Sequence, residues 1–195
     1  MRIFYDTEFI EDGRTIDLIS IGMVREDGAE YYAVSSEFSI PKLARNPWLV
    51  ANVWPSLPQI RGDQRMQILA TALPGWAVSR SREMERLFDR HHPDVKPRRQ
   101  IAREVEDFIT EDNEPELWAW YGAYDHVALA QLFGKMIDLP GGIPMFTCDL
   151  KQECARLGDP RVPEQEAGHH NALADARHNL AIARFLDDGW PVADA

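Results

Sequence analysis

Met1-Arg2-Ile3-Phe4-Tyr5-Asp6-Thr7-Glu8 is the stretch that decides how this chain is read. Its first five residues, rich in β-branched and aromatic side chains, have the character of a short strand. Strand side chains alternate faces, so Asp6 and Glu8 stand together on one face and Thr7 turns away. Two adjacent carboxylates repel each other unless a counter-charge sits between them. Oxygen-only ligands suit a hard divalent cation. Taken alone, the same tripeptide also fits a solvated acidic turn leading into Glu11-Asp12-Gly13, because short motifs match by chance often.

Outward from this stretch, Asp17 to Arg25 reads as a second strand, and Asp27-Gly28 carries the signal of a tight hairpin. Glu30 to Val34 returns as a third strand. Pro41, Pro47, Pro55 and Pro58 keep any helix in the next segment short, including one around Asn46 to Val53. A helical stretch is expected from Gln59 to Leu73, ended by Pro74-Gly75, and another from Ser79 to His91. Pro97 suits a first helical turn, and Ile101, Val105, Phe108 and Ile109 follow at helical spacing to about Thr110. Glu116 to Tyr121 reads as a fourth strand, with a helix from about Asp125 to Phe133. Met145 to Cys148 gives a fifth strand, then a helix from Asp149 to Leu157. A last helix spans Asn171 to Leu186. The order predicts one α/β domain over residues 1–195, a mixed five-stranded sheet with helices packed on it.

The 195 residues carry a formal charge of −11. That argues against gripping long duplexes through phosphates alone, which needs excess Lys and Arg. A local basic stretch nevertheless runs from Arg61 to Arg103 and includes Arg98 and Arg99; it could guide single-stranded RNA toward the acidic site. No apolar run reaches the ~18 residues of a membrane span. Asp6, Glu8, Glu11 and Asp12 would spoil a signal peptide, so a cytoplasmic protein is expected. Cys148 and Cys154 fit no zinc or redox spacing and read as free thiols.

Three stretches combine into one constellation: Asp6-Thr7-Glu8, Tyr124-Asp125 at the start of a helix, and His170-Asn171-Ala172-Leu173-Ala174-Asp175. His170 and Asp175 cannot share a helical face; they can meet if His170 lies in the loop before the helix and Asp175 on its second turn. Four carboxylates and a histidine meet the needs of two-metal phosphodiester hydrolysis, with Mg²⁺ or Mn²⁺ held by the acids and the imidazole taking a proton from the attacking water.

These motifs resemble the DEDDh-type 3′-5′ exonucleases of the ribonuclease H-like superfamily. The runs Phe4 to Gly13 and Trp118 to His126 more closely resemble a bacterial exoribonuclease family known from mycobacteria. The resemblance covers most of the chain except about 41–97, which reads as a basic helical insertion. It implies a ribonuclease H-like sheet, Asp6, Glu8 and Asp175 at one metal, Asp6 and Asp125 at the second, and His170 as general base. It also implies Phe9 and Thr7 at the substrate's terminal nucleotide, and a homodimer. Phe9-Ile10-Glu11 stands where many relatives have Thr-Gly, and Gly122-Ala123 where many have an Asn.

Each residue also has a plainer role open to it. Asp125 could cap its helix, and Asp175 could be a solvated helical residue. His169 competes with His170, but the five-residue spacing to Asp175 favours His170. His91 and His92 read as an exposed helix end, His126 and His178 as structural. Trp118 and Trp120 share a strand face as core or as a stacking platform. The function expected is a 3′-5′ exoribonuclease on single-stranded RNA or 3′ overhangs; the alternatives are a single-stranded DNA exonuclease, a non-catalytic RNA-binding module and a nucleotide pyrophosphatase-like hydrolase.

Overall fold

β1 (Arg2–Glu11) runs through the acidic residues instead of stopping before them. It pairs along its length with antiparallel β2 (Ile16–Arg25), which pairs in turn with antiparallel β3 (Glu30–Ser35). Asp12 makes the first turn by accepting from the Arg14 and Thr15 N–H groups through one carboxylate oxygen. Gly28, at φ 95°, makes the second in a conformation that favours glycine. The register slips beside the acidic pair. Glu8 opposes Ser20 and Phe9 opposes Leu18, which leaves Ile19 as an extra residue in β2 and re-aims the side chains around it.

The computed structural model describes residues 1–70, 79–111 and 113–189. The far end of the Gln59–Leu73 helix and the Pro74-Gly75 break lie outside them. After β3 come α1 (Ile40–Arg45) and α2 (Pro47–Asn52), short as the prolines require, then α3 (Gly62–Ala70) and α4 (Arg80–Leu87). β4 (Val95–Lys96), α5 (Arg98–Thr110), β5 (Glu116–Ala119) and α6 (Ala123–Gln131) follow. β6 (Cys148–Asp149), α7 (Leu150–Arg156) and α8 (Ala172–Asp187) come last.

The sheet has six strands, not five, in the order β4-β3-β2-β1-β5-β6. β4 was missed because two residues, parallel to the end of β3, leave no alternation to read. β6 starts at Cys148, where the sequence pattern has it ending, since its pairing is set by Trp118 and Ala119 of β5. The β1–β5 and β5–β6 pairs are parallel, the hairpins antiparallel, so the sheet is mixed.

One face of the sheet buries Ile3, Tyr5, Ile21 and Leu117 against Ile101, Val105 and Ile109 of α5 and Leu129 of α6. The other face is covered in two parts. Phe4 and Val24 lie under Leu150 and Cys154 of α7 and Ala176, Leu180 and Ala183 of α8. Ile10, Ile19 and Val34 lie under a second group that includes Leu43, Leu49, Trp54, Leu57, Leu87 and Phe88. Each large apolar side chain so buried is worth roughly 1.5–3 kcal/mol. Asp6 and Glu8 fall between Phe4 and Ile10, at the seam where the two coverings meet.

Two details set that seam. β5 pairs with β1 only at Arg2, Ile3 and Phe4, so the next residues of β1 present an edge that β5 does not reach. On the other side Gly22 pairs with Asp6, and a β-carbon at Gly22 would overlap the backbone of Ala172 and Leu173. The first turn of α8 therefore rests directly on the β2 backbone. Cys148 and Cys154 are free, and among the described residues no helix is long and apolar enough to cross a membrane.

Candidate active site

Asp6, Thr7, Glu8, Phe9, Asp125 and His170 line one cavity of about 410 Å³ together with Trp48, Trp120, Tyr121 and Tyr124. Asp6, Trp120 and His170 also border an adjoining cavity of about 410 Å³ with Gln165, His169 and Asp175. All five residues singled out for catalysis thus surround one continuous cleft. Ligand atoms of Glu8, His170 and Asp175 lie within 4.8 Å of one another.

Asp125 reaches the cleft from the first turn of α6, which begins at Ala123, so it is not the helix cap. Its Oδ1 accepts from the Thr7 N–H at 2.8 Å and the Thr7 hydroxyl at 2.7 Å. The unpaired edge of β1 is thereby satisfied by a carboxylate instead of a strand. Thr7 turns away from Asp6 and Glu8 as the alternation requires; it is 5 % exposed and anchors Asp125. Phe9, the other residue assigned to the substrate, is half-buried and meets Tyr124 edge to face at 6.0 Å.

Asp175 and His170 are joined through the backbone. Asn171 caps α8 by accepting from the Ala174 N–H, which leaves His170 in the loop at φ 61°. A left-handed backbone at a non-glycine residue costs roughly 1–2 kcal/mol. It turns the His170 N–H onto Asp175 Oδ2 at 2.9 Å, and Gln165 Nε2 donates to Asp175 Oδ1 at 2.7 Å. His169 is exposed and borders only the adjoining cavity.

The charges are uncompensated. Among the described residues no Lys or Arg pairs with Asp6, Glu8, Asp125 or Asp175. Burial, then the charges of Asp125, Glu8 and Asp175, holds the Asp6 carboxyl well above the usual range. Burial and the charges of Asp175 and Asp125 push Glu8 up to about 8. Burial raises Asp125 to about 6 against the pull of the two Thr7 hydrogen bonds, and raises Asp175 against Gln165 and the His170 amide. Buried carboxylates crowded this way are stable when ionised only beside a cation. An all-oxygen donor set with one imidazole at its margin fits Mg²⁺ or Mn²⁺.

Trp118 and Trp120 are half-buried against the α7–α8 core, and Trp120 also borders the cleft. His126 is buried, while His178 is half-buried and borders the adjoining cavity. Arg98 is half-buried and ion-paired with Asp17, and its guanidinium also donates to Ser35 Oγ and the Leu18 carbonyl. Arg99 is exposed. Gly22, Trp48, Ser56 and Gln165 were not anticipated. Gly22, Trp48 and Ser56 act through contacts more than a hundred residues away, and Gln165 acts from a loop with no period, so spacing gives no signal for any of them.

A family model for the 3'-5' exoribonuclease Rv2179c-like domain matches residues 1–186 of this chain. Two proteins of Mycobacterium tuberculosis are similar to it: the 3'-5' exoribonuclease Rv2179c of strain ATCC 25618 / H37Rv and the 3'-5' exoribonuclease MT2234.1 of strain CDC 1551 / Oshkosh. Each is 44% identical over 188 residues, which is 95% of this chain and 93% of the relative. The protein is an enzyme, a hydrolytic 3′-5′ exonuclease. It belongs to the Rv2179c-like 3'-5' exoribonuclease family.

Proposed function

We propose that this protein is a DEDDh-type exoribonuclease with a ribonuclease H-like fold. It removes 5′-nucleoside monophosphates from the 3′ ends of single-stranded RNA or of 3′ overhangs. The observation that carries the reading is the gathering of Asp6, Glu8, Asp125 and Asp175, with no Lys or Arg lining among the described residues, around a cleft that His170 enters. Two Mg²⁺ or Mn²⁺ ions bound there would supply charge stabilisation for the attacking and leaving oxygens. Asp6, Glu8 and Asp175 would hold one ion, and Asp6 and Asp125 the other.

The chain's own part is orientation and proton transfer. His170 takes a proton from water as the water oxygen bonds to the phosphorus of the last phosphodiester. The bond from that phosphorus to the 3′ oxygen of the preceding nucleotide breaks, and the 3′ oxygen takes a proton from solvent. Phe9 and its neighbour Tyr124 offer aromatic surface to the terminal base. The protein acts as a homodimer.

The test is incubation of 3′-blocked and free RNA and DNA oligomers, labelled at the 5′ end, with Mn²⁺, with EDTA, and with Asp6→Ala and His170→Ala proteins. Stepwise shortening of free RNA that EDTA abolishes, and that both substitutions slow about a hundredfold or more, is expected. Undiminished activity of Asp6→Ala would refute the site, and preferential cleavage of DNA would refute the substrate.

A further inference from the structure

The backbone of His170 is held from outside its own loop. The Ser56 hydroxyl reaches the His170 carbonyl at 2.9 Å and the Val53 carbonyl at 2.8 Å, so its single proton is shared between them. The imidazole meets the Trp48 indole edge to face at a centroid distance of 4.7 Å. Trp48 lies on α2 and Ser56 in the turn after it. Both are fixed because Leu49, Val53, Trp54 and Leu57 are buried in the second covering of the sheet. Trp48 itself is 51 % exposed. Its ring adds little to the core and packs against His170.

We propose that Trp48 and Ser56 are positioning residues for His170: the helical layer on one side of the seam sets where the imidazole stands over the acidic cleft. This rests on the reading of His170 as the residue that takes the proton. A loop residue in a left-handed conformation, entering the cleft from the α8 side, has few restraints of its own. Its N–H fixes it to Asp175, but that bond leaves the ring free to rotate. The Ser56 hydroxyl holds the carbonyl on the other side of the residue, and the Trp48 ring limits the imidazole. Correct placement of a catalytic group within fractions of an ångström accounts for much of its effect. The segment that carries α2 and the turn after it would then supply the second half of the proton acceptor's support.

The experiment is a double-mutant cycle on the full chain with an RNA oligomer and Mn²⁺. Trp48→Ala and Ser56→Ala should each lower kcat about tenfold or more, within the range general-base catalysis spans, with KM changed less than twofold. Trp48→Phe, which keeps an aromatic edge, should recover most of the loss. In a His170→Ala background neither substitution should lower the residual rate further, because residues that act through one group are not additive. The His170 ring proton resonances should move when Trp48 becomes Ala, since the indole ring current is removed. Ser56→Ala, outside the cleft lining, carries the test if Trp48→Ala fails to fold. A rise in KM alone would make Trp48 a substrate contact and overturn the proposal, as would additive losses in the His170→Ala background or an unchanged kcat. Full activity of His170→Ala itself would overturn the reading of the base, and the positioning role with it.

Discussion

Gly22 stands directly across the β1–β2 ladder from Asp6, and it is the bare backbone at Gly22 that α8 touches. One position thus fixes both the strand that carries Asp6 and Glu8 and the helix that carries Asp175. A methyl group there has nowhere to go, because its neighbours are backbone atoms of Ala172 and Leu173 instead of a flexible side chain. Gly22→Ala is expected to lift the first turn of α8, destabilise the protein by about 1–3 kcal/mol as overpacking does, and reduce nuclease activity more than tenfold. Urea unfolding and a rate measurement on the same preparation check both halves. Wild-type activity in Gly22→Ala would show that α8 does not need this approach.

The raised carboxyls predict an unusual pH dependence for the metal-free protein. The folded state binds protons at Glu8 up to about pH 8 and at Asp125 up to about pH 6, whereas an unfolded carboxylate releases them near 4. Their contribution is therefore fully present below about pH 4 and is lost as pH rises through the folded values. Between pH 5 and 8 the melting temperature in EDTA should fall. Saturating Mn²⁺ should raise it more at pH 8 than at pH 5, since ions compete with protons for the same oxygens. Calorimetric melting at both pH values, with and without the ion, decides this.

Relief of the same repulsion should be visible by mutation. Glu8→Gln removes one charge at nearly constant shape. It should stabilise the metal-free protein at pH 8 by about 0.5–2 kcal/mol, as removal of functional strain commonly does, while abolishing activity. A less stable Glu8→Gln protein at that pH would mean the carboxylates are compensated by something else.

Thr7 offers a finer test. Thr7→Val keeps the backbone N–H to Asp125 and removes the hydroxyl, a hydrogen bond to a charged group worth about 1.5–3 kcal/mol. Mn²⁺ affinity measured by calorimetry should weaken about tenfold, and Thr7→Ser should restore it.

Arg98 and Arg99 should now behave differently from each other. Arg98→Ala breaks the pair with Asp17 and leaves the Leu18 carbonyl without that donor, so stability should fall by about 1–3 kcal/mol. Arg99→Ala should leave stability within ~0.5 kcal/mol. If the basic stretch steers RNA, it is Arg99→Ala that should flatten the salt dependence of binding, measured as affinity across several salt concentrations.

How far the sequence reached depends on the range of the interaction involved. The β1–β3 meander, α5 and α8 were legible because alternation, the Asp-Gly turn and helical spacing are local. The grouping of Asp6, Glu8, Asp125, His170 and Asp175 was legible because strand alternation sets Asp6 and Glu8 on one face, while Asp125 and Asp175 sit in the first turns of their helices and His170 just before one. β4 was not legible, since two residues at a sheet edge follow their partner instead of their own pattern. Gly22, Trp48, Ser56 and Gln165 were hidden for a related reason. Each matters through an atom more than a hundred residues away or in a loop with no period, as with Ser56 and His170. The bonding of Thr7 to Asp125 depends on β5 ending at Ala119, which nothing near Thr7 announces.

The seam on which the acids sit has a temporal side. Its ligands are drawn from residue 6, residue 8, residue 125 and residue 175, and the last arrives on a helix that docks against the first strand pair. While the chain is being made, the carboxylates at residues 6 and 8 leave the ribosome well before the one at residue 175, so the full set of four exists only once α8 has emerged and settled on Gly22.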